Sequence, residues 1–158
     1  MANNKIKKKE GFTIIEVVLV LAIAGLIFLM VFVALPALQS SQRDTQRRED
    51  MGRLVTAITN YKANNRNKLP DDGSTLISNY LSNDFTDPDG TNYTVKVQGY
   101  NKNQATPAGT TFNHTAYLIT GAKCKDGSEG TVEKAVGDNN YAIVFKFEGS
   151  GVYCSDDS

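Results

Sequence analysis

Tryptophan is absent from this 158-residue chain, histidine occurs once and cysteine twice. One imidazole and two distant thiols, Cys124 and Cys154, cannot complete an ordinary four-ligand zinc site without carboxylates. No nucleophile–base–acid set and no phosphate-cradling glycine loop is legible, so nothing argues for an enzyme or a cofactor. Net charge is also missing: 17 basic residues balance 17 acidic ones, which gives no general argument for a nucleic-acid partner. Most telling, no charged residue occurs from Val17 to Gln42.

The charges that are present are segregated. Lys5, Lys7, Lys8 and Lys9 face only Glu10 in the first ten residues. Arg43, Arg47, Arg48, Arg53, Lys62, Arg66 and Lys68 outnumber Asp44, Glu49 and Asp50 in the next charged stretch. From Leu69 onward the balance reverses, with six cations against twelve anions, a net of −6. The chain is a basic start, an apolar segment, a basic stalk and an acidic head, with room for one domain of ordinary size.

Val17 to Leu35 is apolar throughout if Gly25 is included. As a helix it spans roughly 28 Å, about the thickness of a bilayer core. No other part of the chain could wrap so long an all-round apolar helix as a buried core element. The lysines ahead of it belong on the cytoplasmic side, which puts the C-terminal head across the membrane. A secretory signal peptide would need a small-residue cleavage site after the run, and Phe32 and Ala34 fit that pattern poorly. A plain signal anchor fits the hydropathy equally well.

The junction Lys8-Lys9-Glu10-Gly11-Phe12-Thr13-Ile14-Ile15-Glu16 separates these readings. Glu16 sits within the apolar run and has no cation in the following stretch to neutralise it, although an acid in a membrane helix costs on the order of 2–3 kcal/mol if central. Gly11 offers an unhindered backbone directly before the helix. Cleavage after Gly11 would give Phe12 a new α-amino group, with an ordinary pKa near 8. Phe12 and Glu16 are i,i+4 on one face, so the amine of one subunit can meet Glu16 of a neighbour in an apolar bundle.

Gly-Phe-Thr-Ile-Ile-Glu after a short basic leader resembles the class III signal of type IV pilins and type II secretion pseudopilins. The resemblance implies a prepilin peptidase that cuts between Gly11 and Phe12 and N-methylates Phe12. It implies Glu16 as the assembly glutamate, with Gly25 and Pro36 shaping the assembly helix. Leu35-Pro36 falls a few residues later than the family's usual Leu-Pro. The implied fold is α+β: a long N-terminal helix, half transmembrane and half amphipathic, packed on a small antiparallel β-sheet. Residues 1–11 are expected as a cleaved leader, 12–38 as the transmembrane and assembly helix, 39–65 as the stalk helix and 66–158 as the head. The implied partners are further copies in a helical filament, the peptidase, the membrane before assembly and the assembly platform. The implied course is from the cytoplasmic membrane to a surface pilus serving adhesion, twitching motility or DNA uptake. A secretion pseudopilin is the alternative.

Beyond Pro36, which should kink the helix, Met51, Leu54, Val55, Ile58 and Tyr61 repeat at helical spacing, and the arginines are placed mostly off that stripe. The arginines also suit a DNA-binding face, but are read instead as packing against acidic heads of neighbouring subunits. Turn-forming residues from Asn64 to Gly73 end the helix, and a short helical or irregular piece follows over Ser74–Leu81. Strands are expected over Tyr93–Val97, Ala116–Thr120, Tyr141–Phe147 and Val152–Cys154, with Gly149-Ser150-Gly151 as a hairpin turn. Asp84, Asp87 and Asp89 are a candidate calcium cluster, with a Pro-Asp-Gly turn as the preferred reading. Outside the cytosol Cys124 and Cys154 should form a disulfide, a feature of pilins that pseudopilins generally lack. His114 is expected as a surface loop residue.

Overall fold

The computed structural model describes residues 11–81, 84–102, 111–128, 130–137, 139–149 and 151–157. Lys5, Lys7, Lys8 and Lys9 of the leader and Ser150 of the expected hairpin turn lie outside them. The elements are α1 (Ile14–Asn64), α2 (Gly73–Tyr80), β1 (Thr94–Gly99), β2 (Thr115–Thr120), β3 (Ala122–Cys124), β4 (Val132–Lys134), β5 (Tyr141–Lys146) and β6 (Val152–Asp156). They form an α+β chain of two compact units, residues 1–39 and 40–158.

The described part of the first unit is the apolar portion of α1, which contains Gly25 and Pro36. Every large apolar side chain from Phe12 to Leu38 is exposed. The helix is long and apolar enough to cross a membrane.

In the second unit, α1 supplies a buried stripe of Arg47, Met51, Leu54, Ala57 and Ile58. Four of these are apolar and pack with Leu118, Ile143 and Phe145 from the sheet and Leu76 from α2. Each fully buried large aliphatic or aromatic side chain contributes about 1.5–3 kcal/mol. The sheet order is β1-β2-β5-β6. β5 is central and buried over Tyr141–Phe145. Tyr141, Ile143 and Phe145 join the main core, whereas Ala142 and Val144 join a second cluster with Ile119 and Ala122. Alternation along one strand thus feeds a core on each face.

The expected antiparallel sheet is present and gains one parallel neighbour. β2–β5 and β5–β6 are antiparallel, but β1 and β2 run parallel, with Thr94 opposite Thr115 and Gly99 opposite Thr120. Alternating side chains define strand faces and not strand direction, and the connection over residues 100–114 is long enough for a crossover. A second two-stranded sheet, β3–β4, covers the second cluster. Its three-residue strands are too short to show a pattern in sequence.

Local chemistry sets the element ends. Asp72 caps α2 by accepting from the Thr75 amide at 3.2 Å. A Cβ on Gly73 would lie 2.0 Å from the Val95 carbonyl oxygen, so only glycine lets α2 approach β1 this closely. At the end of α1 the Asn67 amide donates to the Lys62 carbonyl at 2.8 Å, a Schellman-type closure. Arg66 (φ 56°) and Asn67 (φ 63°) both take the left-handed conformation there.

Candidate functional site

At the N-terminus the helix begins with a reciprocal cap. The Thr13 amide and hydroxyl donate to Glu16 Oε2 at 2.8 and 2.7 Å, and the Glu16 amide points back to Thr13 Oγ1 at 3.4 Å. Thr13-Ile14-Ile15-Glu16 is a capping box, which satisfies donors that the first helical turn leaves open. The sequence signal for it is Thr-x-x-Glu directly before an apolar run, which the ion-pair reading of Glu16 leaves out. The acid is therefore not without a partner in its own chain, although it makes no ion pair among the described residues. Phe12 is 90% exposed beside it. Phe12, Glu16, Val17, Val20 and Leu21 line an almost wholly apolar recess of about 320 Å³. Gly11 and Gly25 have open space where a Cβ would stand.

The basic stalk behaves differently from the expectation. Arg47 is fully buried and extends the apolar stripe: 47, 51, 54 and 58 keep helical spacing. That register was the sequence signal for its burial. Its Nε and Nη2 donate to the two oxygens of Asp87 at 2.6 and 2.7 Å, while Nη1 donates to Asp44 at 2.9 Å and Glu148 at 2.8 Å. The guanidinium also lies 4.2 Å from the centroid of Phe112. Burial opposes its charge, but the hydrogen bonds it donates to Asp87, Glu148 and Asp44 outweigh that cost and hold its pKa above the ordinary value.

Arg43 makes its own two-pronged contact to Glu148, at 2.9 and 2.7 Å. The Arg43 and Arg47 hydrogen bonds lower the Glu148 pKa to about 2. Asp44 accepts the Glu148 and Gly149 amides at 3.1 and 2.9 Å, tying the turn after β5 to α1. Arg53 bridges Asp50 and Asp84 at 3.2 and 3.0 Å. Arg43, Arg47 and Arg53 are thus committed to carboxylates of their own chain. Their expected pairing with acidic residues is met within the chain itself by Glu148, Asp87 and Asp84.

The aspartate run is likewise divided among partners. Asp84 meets Arg53, Asp87 meets Arg47, and Asp89 meets His114 Nε2 at 2.6 Å. Asp87, Asp89 and His114 lie close enough to face one cation, whereas the expected trio with Asp84 does not assemble. Asp87 already carries the guanidinium, and the turn closes through Gly90 N–H donating to Asp87 O at 2.8 Å. Hydrogen bonds from the Thr91 amide and His114 hold the Asp89 pKa below the ordinary range. His114 is partly buried, packed edge-on against Phe112 with ring centroids 4.4 Å apart, and so is more constrained than a plain surface loop residue.

Cys124 and Cys154 are disulfide-bonded, with Cα atoms 6.0 Å apart. The bond lies against the second cluster and joins β3 to β6.

A family model described as the prokaryotic N-terminal methylation motif matches residues 6–32. No curated protein and no solved structure matches the chain. The matched motif implies prepilin peptidase processing, and together with the apolar helix it fits a membrane-held precursor. Methylation motif, exposed apolar helix and α+β head together support a type IV pilin or pseudopilin.

Proposed function

We propose that this chain is a structural subunit of a type IV pilus, cut between Gly11 and Phe12, N-methylated on Phe12 and assembled through the apolar part of α1. The observation that carries the proposal is the continuous exposure of every large apolar side chain from Phe12 to Leu38, with an acid placed at its start. Such a surface is stable only against lipid or other protein. Lipid fits the waiting precursor, and the same helices of other copies fit the filament. Glu16 meets the new α-amino group of a neighbour's Phe12 and fixes register, since a mispaired subunit leaves a buried charge. Gly25 and Pro36 weaken the helix locally and let it adapt on assembly.

In this reading the chemistry is done on the protein and not by it. The four segments expected above then act as leader, assembly helix, stalk and surface head. Adhesion, twitching motility and DNA uptake are the roles open to such a filament, lifted from the membrane by an assembly platform. The paired arginines give no support to nucleic-acid binding through the stalk.

The secretion pseudopilin is the second reading, favoured by the Asp87-Pro88-Asp89-Gly90 turn, which resembles one in the major pseudopilin. The disulfide favours a pilin. Intact mass of the native protein tests the shared part: a chain beginning at Phe12 and one methyl heavier is expected, and a chain retaining its leader refutes both readings. Loss of long surface filaments on deletion of the gene then selects the pilus.

A further inference from the structure

We propose that a cleft at the C-terminal end of α1 binds a singly charged acidic sugar, with Arg66 and Lys68 taking the carboxylate. The cleft has a volume of about 600 Å³ and is lined mainly by polar groups, among them Asn65, Arg66, Lys68, Asp71 and Thr120, together with Tyr61. That volume falls within the range of roughly 300–1,000 Å³ usual for small-molecule sites. The polar wall excludes an apolar ligand.

Three observations single out this place. Arg43, Arg47 and Arg53 of the same helix are each paired with carboxylates and Arg48 lies over the Phe147 ring, whereas Arg66 and Lys68 are exposed and make no ion pair among the described residues. Arg66 also occupies the left-handed position that closes the helix, where glycine is the residue favoured by backbone geometry. The helix dipole favours a cation at this end, and the exposed guanidinium stays open to an incoming anion. Finally, both donor contacts of Asn65 Nδ2 stay within the chain, to Tyr61 O at 2.9 Å and Tyr80 Oη at 3.4 Å. Among the described residues its Oδ1 is left as an acceptor for a hydroxyl.

The mixture of charges selects the ligand. Two cations suit one carboxylate. Asp71 on the same wall accepts from hydroxyls and repels a second negative charge. The acidic excess beyond Leu69 further disfavours a polyanion such as nucleic acid. A sugar acid supplies one carboxylate and several hydroxyls. The site lies within the 40–158 unit and holds whether the chain serves a pilus or a pseudopilus.

The test uses the full chain in detergent, titrated with D-glucuronate, D-glucose or inorganic phosphate and followed by amide chemical shifts. Saturable shifts centred on residues 64–71 are expected with glucuronate, and at least about tenfold weaker binding of the other two, the loss expected for one charge-assisted contact. Arg66→Gly should melt no lower than the parent chain and lose glucuronate affinity about tenfold, with Lys68→Gln losing less. Absence of saturable glucuronate binding overturns the proposal. So does unchanged affinity in a folded Arg66→Gly chain, or phosphate binding as tightly as glucuronate.

Discussion

Replacing Arg47 by methionine should be among the most damaging single changes in the head, because it strands Asp87. The side chains of both residues are fully shielded from solvent, and they are joined by two hydrogen bonds of 2.6 and 2.7 Å. Methionine keeps much of the buried stem but removes the counter-charge, and breaking a buried pair on one side costs about 3–5 kcal/mol. The other carboxylates are cushioned. Glu148 retains both contacts to Arg43, and Asp44 retains the Glu148 and Gly149 amides. The loss is therefore concentrated on Asp87, with roughly 0.5–2 kcal/mol more from the Phe112 contact. A domain with a total stability of about 5–15 kcal/mol should melt roughly 10–20 °C lower. The double variant Arg47→Met/Asp87→Leu should recover most of that loss, less about 1 kcal/mol for the Asp89 amide that Asp87 now accepts. The assay is thermal unfolding of the detergent-held chain, followed by near-ultraviolet tyrosine dichroism. A single variant within about 1 kcal/mol of the parent, or a double variant no better than the single, would refute the argument from a buried ion pair.

Other perturbations address separate parts of the chain. Replacing Gly11 by valine should block leader removal, seen as retention of the leader in the intact mass while the head melts as before. Cys124→Ser/Cys154→Ser should destabilise the head by about 3–4 kcal/mol through chain entropy, given the separation of 30 residues, read as a lower urea midpoint. Glu148 has a folded pKa of about 2, below the ordinary value of 4.5, so its contribution is complete above about 4.5 and fades as pH falls from there towards 2. Asp50 acts in the opposite direction, since burial raises its pKa and protonation on acidification relieves that cost. Glu148→Gln should consequently flatten the acid limb of the urea midpoint against pH, and an unchanged limb would remove Glu148 from the account.

Much of this architecture is legible in the residues, for reasons that differ by element. The long apolar run and the Met51–Ile58 stripe state α1 directly, because burial on a helix repeats at its own period. The four strands of the main sheet fall within two residues of their expected ends, and the cysteine pairing follows from there being only one pair. Three things escape. The direction of β1 depends on the path of a connection and not on side-chain alternation. β3 and β4 are fixed by the cluster they cover rather than by their own composition. The burial of Arg47 contradicts its polarity, and only its register with Met51 and Leu54 betrays it. The same guanidinium draws Asp87 away from the aspartate cluster that sequence proximity suggests.

The capping box makes Glu16 ambiguous in a way that one substitution resolves. A glutamate at this helix position has two possible jobs: to satisfy the Thr13 amide, as it does at 2.8 Å, and to offer negative charge to a neighbouring subunit. Valine at position 16 removes both and cannot distinguish them. Glutamine removes only the charge, since a glutamine at the third helical position supports the same reciprocal cap. If capping were the whole role, Glu16→Gln would assemble filaments at the parent's yield, and Glu16→Val would fall short by no more than the loss of about 1 kcal/mol of helix stability allows. If the acid meets a neighbour's α-amino group in an apolar bundle, the glutamine variant leaves that amine buried without a counter-charge. It should then fail nearly as badly as valine while its leader is still removed. Filament counts by electron microscopy, paired with intact mass to verify cleavage, separate the two. Normal filaments from Glu16→Gln would leave Glu16 as a helix cap and nothing more.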